Sequence, residues 1–283
     1  MKLLRFGEAG KEKPGVIIGD KKYDVSAFGQ DFDEDFFAGT GMEELSKFLA
    51  DKTNVLPAVA DDVRLGPPVK RPGKIICIGL NFRDHAIETN APIPNEPIVF
   101  FKATSAICGP NDDVVIPKNS VKTDWEVELA VVIGKKALYV NESDAHKHIA
   151  GYVLHNDYSE REFQLERGGQ WVKGKSCDTF APLGPYILTP EKVDVDNLKM
   201  WLSVNGKTMQ SSNTSQLIFK IPFLIHYLSQ FMTLHPGDII STGTPHGVGL
   251  GFKPPIYLKP GDVVELGIEG LGSSKQKAVA YKA

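Results

Sequence analysis

The chain has 283 residues, of which 42% are hydrophobic and 24% charged, and its formal net charge is -3. This length and composition suit one large globular domain, or a main domain with a small one. No basic stripe predicts nucleic-acid binding, no apolar run is long enough to span a bilayer, and no signal-peptide core follows Met1. Three cysteines without a CxxC pair predict a cytoplasmic protein with neither a disulfide framework nor a zinc site.

The first 70 residues are predicted to form a small N-terminal α+β domain. Its predicted elements are strands at 2–6, 15–18 and 21–25 and a helix at 42–50. The proline-rich stretch 65–73 is typical of a linker. We therefore expect the larger domain to occupy residues 71–283.

The larger domain is predicted to be mostly β. Its predicted strands are 74–80, 97–102, 114–117, 125–133, 150–157, 200–204, 238–242, 256–258 and 263–268. Its predicted helices are 81–88, with Asn81 near the N-cap, 143–148, 158–167 and 222–231. Many short strands and few helices indicate an α+β chain that is predominantly β.

Two glutamates lie in the most apolar of these strands. Glu126 and Glu128 alternate with apolar residues, so both point to the same side of the strand. Because a strand rises about 3.3 Å per residue, their backbones are about 6.6 Å apart. A cation held by carboxylate oxygens would relieve the repulsion between them. The alternative is an outward-facing acidic pair on a solvated strand.

Asp157 supplies a third carboxylate, at the end of the apolar strand 150–157. Three carboxylates with water in the remaining positions suit Mg²⁺ or Mn²⁺, whereas zinc would require His or Cys ligands at suitable spacing. The alternative is that Asp157 caps the predicted helix 158–167. That helix would place Asp157, Arg161 and Gln164 on one face, where Arg161 could pair with a substrate carboxylate. Arg161 could instead belong to an exposed ladder of charges.

A histidine and a glutamate have helical spacing in the predicted helix 81–88. Glu88 lies three residues after His85 and could hold its imidazole in one tautomer, which would allow His85 to take a proton from water. The alternative is a surface histidine with a chance acidic neighbour.

Two further segments carry groups that could meet an anion. Lys173 and Lys175 lie in a glycine-containing segment, although solvated lysines are the commoner case. Thr244 lies in the glycine-rich turn 240–249, whose N–H groups and threonine hydroxyls could hold an oxyanion. The alternative is a tight turn that simply needs its glycines.

In combination these motifs resemble the fumarylacetoacetate hydrolase family. The stretches that carry the resemblance keep the family's order and are 78–85, 124–129, 156–164, 178–185 and 242–245. The resemblance implies a β-roll of mixed sheets, usually dimeric, preceded here by a small N-terminal domain like that of bacterial members. Those members include hydrolases of 2,4-diketo-3-deoxy sugar acids.

The resemblance also implies roles for individual residues. Glu126, Glu128 and Asp157 would hold Mg²⁺ or Mn²⁺, and His85 with Glu88 would activate water on a mobile lid. The family contacts its substrate at four positions, which correspond here to Arg161, Gln164, Lys173 and Thr244. Of these residues, Lys173 and Thr244 would stabilise the charge that develops during the reaction.

The expected reaction is hydrolysis of the C–C bond of a 2,4-dioxo acid, an acylpyruvate or a diketo sugar acid, to pyruvate and a carboxylic acid. The same site would also suit an oxaloacetate decarboxylase or a keto–enol isomerase. A metal-dependent sugar-acid binding protein without catalysis is the remaining alternative.

Overall fold

The computed structural model describes residues 1–51 and 55–282. In this part of the chain the strands are β1 Lys2–Phe6, β2 Lys13–Ile18, β3 Lys21–Asp24, β4 Leu65–Gly66, β5 Ile75–Gly79, β6 Ile98–Lys102, β7 Ile107–Cys108, β8 Val114–Ile116, β9 Thr123–Asp124, β10 Val127–Ile133, β11 Ile149–Asn156, β12 Ser159–Glu160, β13 Ala181–Pro182, β14 Ile187–Leu188, β15 Lys199–Val204, β16 Lys207–Asn213, β17 Ile239–Ser241, β18 Val263–Ile268 and β19 Gly272–Ala280. The α-helices are α1 Glu34–Ala38, α2 Gly41–Ala50, α3 Arg83–Glu88, α4 Val172–Lys175 and α5 Ile221–Ser229. A π-helix spans Glu162–Glu166, and the 3₁₀ helices are Ser26–Phe28, Thr104–Ala106, Glu142–His148, Pro190–Lys192, Thr214–Gln216 and Gly249–Gly251.

Two mixed sheets contain most of the strands, so the predicted α+β, predominantly β class is confirmed. The main sheet has the order β3-β2-β1-β14-β11-β10-β17-β5-β6, with β4 also paired to β1. The second has the order β16-β15-β18-β19-β8. Both are antiparallel except for one parallel pair in each, β17 with β5 and β19 with β8.

Strand β10 lies inside the molecule, as its apolar sequence predicts. All seven of its residues are buried, and it pairs with β11 on one side and β17 on the other. Both β10 and β11 also contact β18 of the second sheet. Polar side chains on such a strand must find partners within the protein, because water does not reach them.

The N-terminal strands continue the main sheet. Strand β1 pairs with β14, with Leu3 opposite Ile187, and so joins β2 and β3 to the larger region. Within the first 70 residues a cluster of aromatic rings, including Phe32 and Phe36 at 4.9 Å between centroids, packs around α1 and α2. The division at residue 70 stays a prediction, and the hydrogen bonding of the sheet crosses it.

Two predicted elements and one predicted helix cap differ from the structure. The stretch 256–258 is irregular and not a strand, because the prolines at 254, 255 and 260 cannot donate to a continuous ladder. The predicted helix 158–167 is instead strand β12 followed by the π-helix. Asn81 does not cap α3, and its amide bonds to the backbone of Phe219 and Thr242.

Candidate metal centre

Three carboxylates converge where β10 begins and β11 ends. Glu128 lies in β10 opposite His155 of β11, so Asp157, two residues after His155, comes out on the same face. The N–H of Asp157 donates to the carbonyl of Glu126 (2.9 Å), which ties the two strand ends together. One carboxylate oxygen from each of Glu126, Glu128 and Asp157 lies within 4.8 Å of the others, and all three residues are buried. Neither the solvated acidic pair nor a helix-capping Asp157 fits this arrangement.

Buried cations surround the carboxylates. Lys102 Nζ lies 2.5 Å from Asp157, and Lys175 Nζ lies 2.6 Å from Glu126 and 2.9 Å from Asp157. Arg161 binds Glu126 through Nη2 (2.7 Å) and the buried Asp124 through Nε (2.8 Å). In the part of the chain that the structure describes, four carboxylates therefore meet three cations at this centre: Asp124, Glu126, Glu128 and Asp157 with Lys102, Arg161 and Lys175.

The environments of the carboxylates push their pKa values apart. Burial, reinforced by the charges of Asp157 and Glu126, raises the pKa of Glu128 well above its ordinary value. Burial acts in the same direction on Asp157, but Lys102 and Lys175 outweigh it and lower the pKa of that carboxyl. Glu128 is thus the member of the group whose charge the protein compensates least.

Hydrogen bonds hold Glu128 from the side of strand β17. Oε2 of Glu128 accepts from the Ser241 hydroxyl and from the N–H of Gly243 (3.0 Å). Because the Ser241 hydroxyl donates to Glu128, it accepts in turn from Nδ1–H of His155 (2.7 Å). Burial lowers the pKa of His155 to about 3, so its imidazole is neutral. A buried relay from His155 through Ser241 therefore orients Glu128.

The donor set fits a hard divalent cation. Its ligand atoms are carboxylate oxygens, the type that Mg²⁺ and Mn²⁺ prefer, and one of them, from Glu128, makes no ion pair with any described residue. Buried like charges that cluster without a full set of cations are costly unless an ion joins them. Glu126, Glu128 and Asp157 are the residues that would hold it.

His85 and Glu88 of α3 form a pair beside this centre. Nδ1–H of His85 donates to Oε2 of Glu88 (3.0 Å), and Oε1 of Glu88 accepts from the N–H of Gly247 (2.9 Å). Burial alone would raise the pKa of Glu88, but the bonds from His85 and Gly247 lower it. A charged Glu88 fixes the tautomer of His85 and leaves Nε2 as the basic nitrogen.

One cavity of about 240 Å³ joins His85 to two of the three carboxylates. His85, Glu126 and Glu128 line it, together with Arg161, Gln164, Lys175 and Thr244. Gln164 accepts from Arg161 (2.9 Å) through its amide oxygen. The Thr244 hydroxyl donates to the carbonyl of Val127 (3.0 Å) and accepts from Gln210 (2.9 Å), so it secures the glycine-rich turn to β10.

The structure does not bring Lys173 to this cavity. Its side chain is exposed and donates to the carbonyl of Arg167. Lys175 takes the buried position instead, because α4 turns its Gly174 and Lys175 inward. A Cβ atom on Gly174 would lie 2.4 Å from the carbonyl oxygen of Glu160, so this face of α4 packs directly against neighbouring backbone.

Four residues of the centre were not predicted from the sequence: Lys102, Asp124, His155 and Ser241. Lys102, His155 and Ser241 end or lie within apolar strands, and a polar residue there is a signal of a buried partner. Asp124 ends the two-residue strand β9 and carries no such signal. That signal identifies a residue that needs a partner, but the partner comes from another strand whose pairing the sequence does not give.

No helix in the described residues is both long and apolar enough to cross a bilayer.

Comparisons with known proteins agree with this architecture. The family profile described as Fumarylacetoacetate (FAA) hydrolase C-terminal matches residues 74–279. A protein of Burkholderia multivorans is 52% identical over 279 residues, 98% of each chain, and its name assigns no substrate.

Solved structures that resemble the whole chain include a hydrolase and a protein named as a probable isomerase. Maleylpyruvate hydrolase from Sphingobium sp. SYK-6, in complex with manganese(II) and pyruvate, is 32% identical with a TM-score of 0.83 and 100% of both chains covered. A protein of Mycobacterium abscessus named as a probable 2-hydroxyhepta-2,4-diene-1,7-dioate isomerase is 34% identical with a TM-score of 0.85 and the same coverage.

Proposed function

Because the chain belongs to the fumarylacetoacetate hydrolase family, we propose that it is a metal-dependent hydrolase that cleaves the C–C bond of a 2,4-dioxo acid. The products would be pyruvate and a carboxylic acid, and the substrate an acylpyruvate or a 2,4-diketo-3-deoxy sugar acid. The observation that carries this proposal is the shared cavity. His85, whose Nδ1–H is held by Glu88, lines the same cavity as the glutamates of the carboxylate cluster.

The carboxylates Glu126, Glu128 and Asp157 would hold Mg²⁺ or Mn²⁺. When bound, either ion supplies a Lewis acid for the carboxylate and C2 carbonyl oxygens of a 2-oxo acid. Lys175 and Arg161 place positive charge on the same side of the cavity, next to Glu126, where the substrate's own carboxylate would lie.

The pair on α3 would supply the base. Nε2 of His85 takes a proton from water while Glu88 holds Nδ1–H and stabilises the imidazolium that forms. The water oxygen bonds to C4, the C3–C4 bond breaks, and its electron pair passes to C3. The proton held by His85 then goes to C3, which completes pyruvate, and the acyl fragment leaves as a carboxylic acid.

The remaining predicted contacts serve the substrate end of the cavity. Gln164 already accepts from Arg161, so its amide NH₂ group is the part available to donate to an acid oxygen. We assign to Lys175 the charge-stabilising role predicted for Lys173, because of these two lysines only Lys175 lines the cavity. Thr244 would act mainly by fixing the turn that bears Gly243 and Gly247.

A second candidate is isomerisation of an enol to a 2-oxo acid. It is favoured by the similarity to the Mycobacterium abscessus protein, and it needs the same acid-binding site and proton carrier but no attack by water. Oxaloacetate decarboxylation would use the same groups.

A substrate screen separates these reactions. The purified protein, stripped with chelator and reloaded with Mg²⁺ or Mn²⁺, is mixed with acetylpyruvate, a diketo sugar acid or oxaloacetate. We expect loss of enol absorbance together with pyruvate, detected by coupling to lactate dehydrogenase. Carbon dioxide release from oxaloacetate alone would favour decarboxylation, and enol loss without pyruvate would favour isomerisation. Binding of these acids without any conversion would contradict the enzyme proposal.

We further propose a homodimer, as the resemblance to the family implies, in the cytoplasm, as the three cysteines without a CxxC pair predict. Analytical ultracentrifugation of the purified chain tests the assembly, and a monomer at micromolar concentration would contradict it.

A further inference from the structure

We infer that the acyl end of the substrate is uncharged and apolar, so that the cavity takes an acylpyruvate with a short hydrocarbon acyl group. A second carboxylate or a polyhydroxylated chain would fit poorly. This inference rests on the proposed function, because it concerns the part of the substrate that lies beyond the 2-oxo acid group.

The wall next to Lys175 is apolar. The Phe100 ring lies beneath the ammonium group of Lys175, 5.0 Å from ring centroid to nitrogen. The Trp171 ring follows, 5.3 Å from Phe100 and close to edge-on. A Cβ atom on Gly79 would lie 2.7 Å from the Trp171 ring and 3.3 Å from Ile98, so these groups pack onto bare backbone. Apart from the indole N–H of Trp171, the side chains of Phe100, Trp171 and Ile98 offer no hydrogen-bond partner for hydroxyl groups.

Large apolar side chains are also exposed around the same cavity. Ile98, Leu165 and Leu250 line it and are 38%, 45% and 37% exposed. Three exposed apolar side chains around one concave site indicate a surface that an apolar ligand covers.

The cationic side chains that line the cavity already form ion pairs with the carboxylate cluster. Among the described residues that line it, the positively charged side chains are Arg161 and Lys175, and both contact Glu126. They can serve the single carboxylate of a 2-oxo acid. The nearby Arg167 is paired with Glu162 (2.5 Å) outside the lining, so it does not supply a site for a second carboxylate.

Two of the polar side chains that line the cavity are tied to the carboxylate cluster. Gln164 bonds to Arg161, and Thr244 bonds to the carbonyl of Val127 next to Glu126. The volume of about 240 Å³ is below the usual range for drug-sized ligands, which favours a short acyl group.

Binding of two matched acids that cannot be cleaved tests the inference. 2-Oxoheptanoate and 2-oxoheptanedioate have the same chain length and differ only in a terminal carboxylate. With the Mn²⁺-loaded protein in a titration calorimeter, we expect the monoacid to bind about tenfold or more tightly. Equal or tighter binding of the diacid would overturn the inference.

A variant pair at the cavity mouth adds a second measurement. Ile98→Arg introduces a cation on the exposed edge strand β6, and Ile98→Gln is the uncharged control of similar reach. We expect Ile98→Arg, but not Ile98→Gln, to improve binding of 2-oxoheptanedioate relative to 2-oxoheptanoate. If neither variant alters the ratio, Ile98 does not face the acyl group and the assignment of this wall is wrong.

Turnover separates this inference from the proposed function. 2,4-Dioxoheptanoate should yield pyruvate faster than 2,4-dioxoheptanedioate or a diketo sugar acid. A preference for the monoacid in binding, with no pyruvate from any dioxo acid, would refute the hydrolase and leave the apolar acyl pocket standing. Pyruvate released fastest from the diacid or the sugar acid would refute the pocket and leave the hydrolase standing.

Discussion

Glu128 depends on neutral partners, whereas Glu126 and Asp157 each contact cations. The Ser241 hydroxyl and the Gly243 N–H fix its carboxylate, and His155 in turn fixes Ser241. Outer groups of this kind orient a metal ligand, and their loss usually weakens metal binding without removing a ligand. The relay therefore belongs to the proposed metal centre although none of its donors would touch the ion.

Replacement of the relay hydroxyl tests this role. We expect Ser241→Ala to lower Mn²⁺ affinity about 10–100-fold, because Glu128 loses its hydroxyl donor and His155 its acceptor. Titration calorimetry with the chelator-stripped protein measures the change. Ser203→Ala in the second sheet is the matched control, since its hydroxyl donates to the carbonyl of Glu265 at 3.5 Å, away from the carboxylates. Unchanged affinity in Ser241→Ala would remove the relay from the metal centre.

His85 can be separated from the metal ligands by substitution. His85→Ala removes the proposed base but none of the three carboxylates, so kcat should fall by about 10²-fold or more while Mn²⁺ affinity persists. Pyruvate release and calorimetry measure the two quantities on the same sample. His146→Ala, at an exposed histidine, serves as the control. Full turnover by His85→Ala would exclude the histidine from the reaction.

The three acidic residues could be predicted because alternation along a strand fixes which side chains share a face. Glu126 and Glu128 follow that rule directly, and Asp157 follows it once β11 is paired with β10. The choice between Lys173 and Lys175 could not be made in the same way. It depends on which face of a four-residue helix, α4, turns inward, and a single turn carries too little apolar pattern to show this.

At the level of elements, α4 presents one lysine to the cavity and one to solvent. Lys175 follows Gly174, whose lack of a side chain lets α4 approach the π-helix and the end of β12. Lys173 lies on the opposite side and is exposed. The two lysines therefore form a matched pair on one element.

Substitution of each lysine by methionine distinguishes them. Lys175→Met should reduce kcat by about 10²-fold or more, because a charged donor is lost beside Glu126 and Asp157. Lys173→Met should leave kcat/KM unchanged. Circular dichroism and thermal unfolding verify that both variants fold, and pyruvate release gives the rates. Equal losses in the two variants would show that the inward face of α4 is wrongly assigned.

The two longest strands that were not predicted, β16 and β19, have polar residues on their buried faces. In β19 the buried residues include Ser274 and Gln276, and in β16 Gln210 is buried. Hydrophobic alternation is the signal of a strand, and it is absent where amides and hydroxyls occupy the inner face. The π-helix at 162–166 keeps Gln164 within reach of Arg161, although the straight helix predicted there does not form.

For the whole molecule, metal binding should appear as stability. A ligand that binds only the folded state at 100 times its Kd adds about 2.7 kcal/mol, which for a chain of this size raises Tm by about 5–10 °C. We expect Mn²⁺ to raise Tm by this amount in a thermal melt and chelator to reverse the shift. Glu126→Gln should show little or no shift. A full shift in that variant would mean that Glu126 is not a ligand.

The class of the fold could be predicted from the sequence, but the path of its main sheet could not. Many short apolar runs establish a mostly β chain, whereas the pairing of β1 with β14 joins segments far apart in sequence. Nothing in either segment specifies the other, because both expose the same generic row of backbone donors and acceptors. The proposed boundary at residue 70 therefore rests on composition, and the hydrogen bonds of β1 pass across it.

The net charge of the buried cluster has a consequence for how the metal ion and the acid affect each other's binding. When all four carboxylates are ionised, Asp124, Glu126, Glu128 and Asp157 exceed their buried cationic neighbours by one negative charge. A bound divalent ion would change the net charge of this cluster to one positive charge, and a singly charged acid would then bring it to zero. The cluster would therefore be neutral when ion and acid are both bound. Ion and acid should therefore each tighten the other's binding by the same factor, because such coupling is reciprocal. An acid with two negative charges would leave the cluster with a net negative charge, so its binding should be coupled less strongly to that of the ion.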